Sequence, residues 1–204
     1  SIANAGKTFG ADDTRNYAGY TSNFSARNNV NYYDAAGNLK TDGQVAANFS
    51  GNLGRAAGEN VGGYAIGKGS LNDANLNIAG VTQGNLAIDK ADVTLTTRDA
   101  GKTFGADDTR NYGGYSSDFS ARNDVAYYDA AGNLKTDGQV AAGFTGNLGR
   151  AAGENVGSYA IGKGSLSDAN LNIAGVNQGN LVIDKADVTL TTRDAGKTFG
   201  ADDT

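Results

Sequence analysis

The chain has 204 residues, a net charge of −5 and 39% hydrophobic residues, a share that favours small cores over one large one. It has 31 Gly and no Pro, Cys, Met, Trp or His, which excludes disulfides, thiolate chemistry and histidine-based catalysis or metal binding. The 17 basic residues are scattered among 22 acidic ones, so the clustered positive charge needed for nucleic acid or an anionic membrane is missing, and no apolar run approaches the ~18 residues of a membrane span.

The first element, GKTFGADDT at 6–14, returns at 101–109 and again at 196–204, each time 95 residues on. Residues 6–100 and 101–195 align without gaps and differ at 11 positions. Two near-identical copies therefore stand in tandem and a third begins, which is the pattern expected of a piece cut from a longer array. The period is too long for a solenoid repeat, ~20–50 residues, and suits a small domain.

The differences between the copies follow a period of two. Val125 and Tyr127 match Val30 and Tyr32, while Ala126 replaces Asn31 between them; Phe144 matches Phe49, while both its neighbours change. Variation beside a constant apolar position is the mark of a strand with one buried face. Along the second copy, YYDAAGNLKTDGQV predicts a hairpin with its tip near Gly132, where Asp, Gly and Asn supply turn chemistry. Gln139–Ala142 is the one segment with a competing short-helix pattern. GFTGNLGR spaces Phe144 and Leu148 four apart, as a strand with Gly146 inside it or as one helical turn, and the glycine favours the strand. SYAIGKGSL, NLNIAG and NLVIDK put Tyr159 and Ile161, Leu171 and Ile173, and Leu181 and Ile183 on single faces. At the copy boundary (85–101, with its twin at 180–196) an NLxIDK strand runs into ADVTLTT, with no Gly or Pro between. A junction without a flexible linker predicts a stiff, extended array.

Three pieces, GRAAGENVGSYAIGKGSL, LVIDKADVTLTTRDAGKTFGADD and NLNIAG, resemble the MBG/YDG-type tandem repeats of large bacterial surface adhesins, often filamentous-haemagglutinin-like proteins exported by two-partner secretion. The matching segments are 183–190, 102–108, 148–166 and 170–183, roughly two thirds of a copy. Phe104 stands where the family pattern has Tyr, and the Pro that follows its acidic pair is missing. The resemblance implies structural stalk modules on a bacterial cell surface, with a role in adhesion and biofilm, neighbouring modules as partners and no catalytic residues. A rival function is that the modules themselves bind host glycans or neighbouring cells.

Candidate sites are few. DAGKT at 99–103 lacks the upstream glycine of a phosphate loop, Thr96 standing in its place. The acidic pairs Asp12–Asp13 and Asp107–Asp108 are candidate calcium ligands, although adjacent strand residues point to opposite faces and a shared ion would need a turn. Asp129, Asn133 and Asp137 lack the alternate spacing of an EF-hand. Tyr112, Tyr115, Tyr127 and Tyr128 are candidate sugar-stacking residues, with core or half-exposed strand positions as the plainer expectation. The glycosylation sequons at Asn23 and Asn48 are absent from the second copy, where Asp118 and Gly143 replace them. The expectation is a non-enzymatic, all-β chain without a required cofactor, built of two immunoglobulin-like sandwich modules of about 95 residues: 1–90 lacking its first strand, 91–185, and 186–204 as the start of a third. The alternative is a β-grasp-like module with one short helix.

Overall fold

In the computed structural model, which describes residues 1–203, the alternating apolar runs form strands and the Gly, Asn and Asp clusters between them form turns, with no helix among the described residues. The strands are β1 (Ala5–Thr8), β2 (Arg27–Tyr33), β3 (Leu39–Val45), β4 (Gly54–Arg55), β5 (Gly62–Gly67) and β6 (Gly84–Asp89) in the first copy. They continue as β7 (Ala91–Thr97), β8 (Ala100–Thr103), β9 (Tyr115–Ser117), β10 (Arg122–Tyr128), β11 (Leu134–Val140), β12 (Gly149–Arg150), β13 (Gly157–Gly162), β14 (Leu171–Asn177) and β15 (Gly179–Asp184).

Strand pairing changes hands at Lys90. Before it, the sheet order is β1-β6-β5-β4; after it, the orders are β14-β7-β9 and β12-β13-β15-β8. The hairpins β2–β3 and β10–β11 stand as separate two-stranded ribbons. β1 pairs parallel with β6, β8 with β15 and β7 with β14, while the other pairings are antiparallel. The chain is thus all-β as expected; the three parallel pairings depart from the antiparallel sheets expected of an immunoglobulin sandwich, and the short helix of the β-grasp alternative is absent among the described residues.

Local chemistry accounts for the hairpin. Asp129 Oδ1 accepts from the backbone N–H groups of Ala131 and Asn133, both at 2.9 Å, an Asx turn that brings Asn133 back beside Asp129. Gly132 follows at φ 78°, a left-handed position that suits a residue without Cβ. Two expectations fail nearby. Gln139 and Val140 close β11 as strand residues, so the short helix does not form; there the strand buries Gly138 and Val140 with Gln139 outward, a period of two. GFTGNLGR is mostly irregular: Thr145 makes one isolated bridge to Ser167, and regular pairing starts only at Gly149. Gly146 takes φ 97°, which breaks a continuous strand.

A third expectation fails in only one copy. Leu171–Asn177 is a strand because β7 lies beside it, with Val93 and Leu95 buried. The same run in the first copy, 76–82, has no strand. Among the described residues no strand lies beside it as β7 lies beside β14.

Two buried clusters form, but not one per copy. The smaller holds Leu95, Leu148, Ile161, Leu166, Leu181 and Ile183. The larger combines Phe9, Leu53, Ile66, Leu86 and Ile88 of the first copy with Val93, Val125, Val140 and Leu171 of the second. Apolar burial therefore runs across the boundary between the copies, and their packing is not independent.

Candidate functional site

The boundary is where near-identical residues meet different surroundings. β6 ends at Asp89 and β7 begins at Ala91, so a single residue, Lys90, carries the chain from one set of sheets to the next. The β10–β11 hairpin then folds back over the first copy. Phe119 stacks on Phe9 with ring centroids 5.5 Å apart. Asp13 N–H donates to the Ala126 carbonyl at 2.8 Å, and Ala126 N–H donates to Asp12 Oδ1 at 2.8 Å. Arg122 reaches Asp12 at 3.1 Å, and Val61 N–H donates to Asn170 Oδ1 at 2.9 Å.

Beneath the hairpin lies a buried ion cluster of Lys7, Asp13, Arg55 and Glu59. Every guanidinium N–H of Arg55 has a place to go. Nε donates to Asp13 at 2.7 Å, Nη1 to the carbonyls of Ala56 and Gly58 at 3.0 and 2.6 Å, and Nη2 to Asp13 and Glu59. Lys7 Nζ donates to Asp13 at 2.7 Å and to Glu59 at 2.6 Å. Two cations and two carboxylates cancel in charge, and no buried side-chain polar atom among the described residues is left without a partner. A buried polar group that is paired in this way avoids the desolvation penalty of an orphan. The Arg55 guanidinium also lies 5.3 Å from the ring centroids of both Tyr64 and Tyr127, the second of these on the hairpin.

Tyr17 supports the cluster from a strained backbone. Asn16 and Tyr17 both take the left-handed conformation, φ 56° and 50°, and their twins Asn111 and Tyr112 do the same. Asn16 Oδ1 accepts from Leu53 N–H at 2.9 Å, which fixes the turn, and the Tyr17 hydroxyl donates to Asp13 Oδ2 at 2.9 Å. Burial, and then the Asp13 carboxylate, raise the Tyr17 phenol above its ordinary value. For Asp13 burial works against the charged form, yet the hydrogen bonds from Arg55 and Lys7 outweigh it and hold the carboxyl below the usual range.

The second copy builds the same cluster without a hairpin over it. Lys102 reaches Asp108 at 2.8 Å and Glu154 at 2.6 Å; Arg150 reaches Asp108 at 2.7 Å and also pairs with Glu154. The geometry is therefore made within one copy, and the neighbouring hairpin shields it from solvent. The Glu59 side chain is 8% exposed and that of Glu154 67%; Phe9 is 4% exposed and Phe104 50%. Hydrogen bonds from Arg150 and Lys102 hold Asp108 at about 2, below its ordinary 3.8. A carboxyl depressed in the folded state stabilises fully above its unfolded value and loses that contribution as pH falls from 3.8 towards 2. Asp108→Asn is expected to flatten the acid limb of a urea-midpoint titration over that window; an unchanged slope would contradict the assignment.

The candidate residues of the sequence thus fall into different roles. Asp12 and Asp13 turn to separate partners, Asp12 to Arg122 and the Ala126 N–H and Asp13 to Arg55, Lys7 and Tyr17. Asp108 repeats the role of Asp13, while Asp107 is exposed. No group of three or more His, Cys, Asp or Glu side chains is arranged to hold a metal among the described residues. Tyr115 packs edge-on against Phe144 at 6.0 Å, Tyr112 donates to Asp108 at 3.2 Å and Tyr127 covers Arg55, so these rings are spread through the packing rather than forming one platform. Lys7, Arg55 and Glu59 were not candidates at all. Their signal was faint: Arg and Glu four apart in GRAAGE, and identity in both copies. No protein-family model, curated protein or solved structure matches the chain.

Proposed function

We propose that the chain is a segment of a mechanical stalk, built of 95-residue structural modules and carried outside a bacterial cell to hold an adhesive tip away from the surface. Its units are 1–90, 91–185 and the beginning of a third at 186–204. The observation that carries this is the junction: one connecting residue, with a hairpin of the later copy locked over a dry, charge-balanced cluster of the earlier one. Such a boundary fixes the direction from copy to copy, as a spacer requires and as a tethered pair of binding domains does not. The resemblance of GRAAGENVGSYAI and its neighbours to adhesin repeats points the same way, and partners on this view are neighbouring modules.

Small-angle scattering on the 204-residue chain is expected to give an elongated particle with a single, narrow distribution of dimensions. A broad distribution, as from two units on a swivel, would defeat the proposal. Reproducible binding of the chain to a glycan array would favour the rival, in which the modules themselves are adhesive.

A further inference from the structure

Lys7 stands against two carboxylates in a place that solvent scarcely reaches. Its Nζ lies 2.7 Å from Asp13 Oδ1 and 2.6 Å from Glu59 Oε2, and the three side chains are 6%, 0% and 8% exposed. An amine and a carboxyl held in contact are the two halves of an amide. In bulk water they stay apart because each is a hydrated ion and their encounters are brief. Here the shielding strips hydration from the ions, and the fold replaces a chance encounter by a fixed one.

We propose that Lys7 and Glu59 condense to an amide, with Asp13 carrying the protons and Arg55 holding the carbonyl oxygen. The two carboxylates are not equivalent. Asp13 Oδ2 accepts from Arg55 Nε at 2.7 Å and from the Tyr17 hydroxyl at 2.9 Å, while Arg55 Nη2 and Lys7 share Oδ1, so Asp13 is fixed as an anion. Glu59 takes Arg55 Nη2 on Oε1 and only Lys7 on Oε2. Nζ attacks Glu59 Cδ, and the charge that gathers on Oε1 meets the Arg55 guanidinium. Two of the three ammonium protons pass by way of Asp13 to Oε2, which touches the same nitrogen. The Nζ–Cδ bond forms, the Cδ–Oε2 bond breaks, and Oε2 leaves as water with those protons. The third proton stays as the amide N–H, and Asp13 returns to a carboxylate. No oxidant or further reactant is needed.

Condensation removes one cation and one anion together, so the cluster stays balanced. What remains is Arg55 with Asp13, both fully buried. The amide ties β1 to the loop between β4 and β5, 52 residues along the chain. The twin supplies a control within the same molecule. Lys102 meets Asp108 at 2.8 Å and Glu154 at 2.6 Å, but Glu154 is 67% exposed, so water keeps that pair ionic. The inference rests on this geometry alone and does not depend on the stalk proposal.

The test keeps the full chain folded near neutral pH for days, then unfolds it and weighs it by mass spectrometry. The chain is expected to be one water lighter than its sequence. Trypsin is expected to pass over Lys7 and to release a branched peptide that joins Lys7 to Glu59. Lys7→Arg keeps the positive charge but cannot form the bond, and is expected at the full sequence mass. Several results overturn the proposal. One is a native chain that keeps its full mass. Another is a water lost equally by Lys7→Arg, or mapped to succinimide closure at Asp42–Gly43 or Asp137–Gly138. A second bond between Lys102 and Glu154 would show that shielding does not drive the reaction, and overturns it too.

Discussion

Replacing Arg55 by Leu is expected to destabilise the chain by about 3–5 kcal/mol, the cost of breaking a buried ion pair, while the same change at Arg150 costs far less. Without Arg55, the fully buried Asp13 keeps only Lys7 and Tyr17, and Glu59 keeps only Lys7. One negative charge is then in excess beneath a hairpin that leaves these side chains at most 8% exposed. At Arg150 the partners are the same residue types at similar distances, but Glu154 stands in solvent and Asp108 is partly open to it. Water replaces the lost donors, and the loss approaches that of a surface pair, about 0–1 kcal/mol. The two sites share their local sequence and differ in their neighbour, so the difference in urea midpoint, followed by circular dichroism, isolates the effect of the hairpin. Equal losses at both positions would mean that the hairpin does not dry the cluster.

Gly54→Ala is expected to lift the hairpin, at a cost of about 2–3 kcal/mol from overpacking, while Gly149→Ala leaves the fold nearly unchanged. A methyl group on Gly54 falls against the Asp129 carbonyl oxygen and lies 2.7 Å from the Gly132 nitrogen, both backbone atoms of the hairpin turn. Backbone cannot rotate away as a side-chain tip does, so the whole turn must move. The twin position Gly149 has Gly164 Cα at 3.2 Å as its nearest neighbour, a few tenths of an ångström too close. The readout is hydrogen exchange at Asp13 and Ala126, whose amides bond across the boundary. Both should exchange faster in the Gly54 variant only; unchanged protection there would contradict the close approach.

The legible parts of the fold were those set by nearby residues. DAAGN specifies its turn through Asp129 and two amides within four positions, and the alternation of Val93 and Leu95 specifies which face of β7 is buried. The illegible parts depended on distance along the chain. Asp13 meets Arg55 42 residues away, and Lys7 meets Glu59 52 away, so neither pairing leaves a period or motif to find. Adjacent carboxylates suggested a shared cation, but the turn after Phe9 sends Asp13 inward to the chain's own cations and Asp12 outward to the hairpin. The same limit explains the exposures of Val45 and Val140. Their flanking sequences are identical, yet Val45 is open and Val140 buried, because Val140 lies in the cluster with Phe9 and Leu53 of the first copy.

The parallel pairing of β8 with β15 bears on how a copy meets tension. β8 follows directly on the strand that enters the copy, and β15 leaves it. When the ends are pulled apart, parallel partners slide past one another along their length, and their cross-links share the load instead of parting one at a time like a zip. Hydrogen bonds that are individually weak then resist rupture together, and the force needed scales with the length of the paired segment.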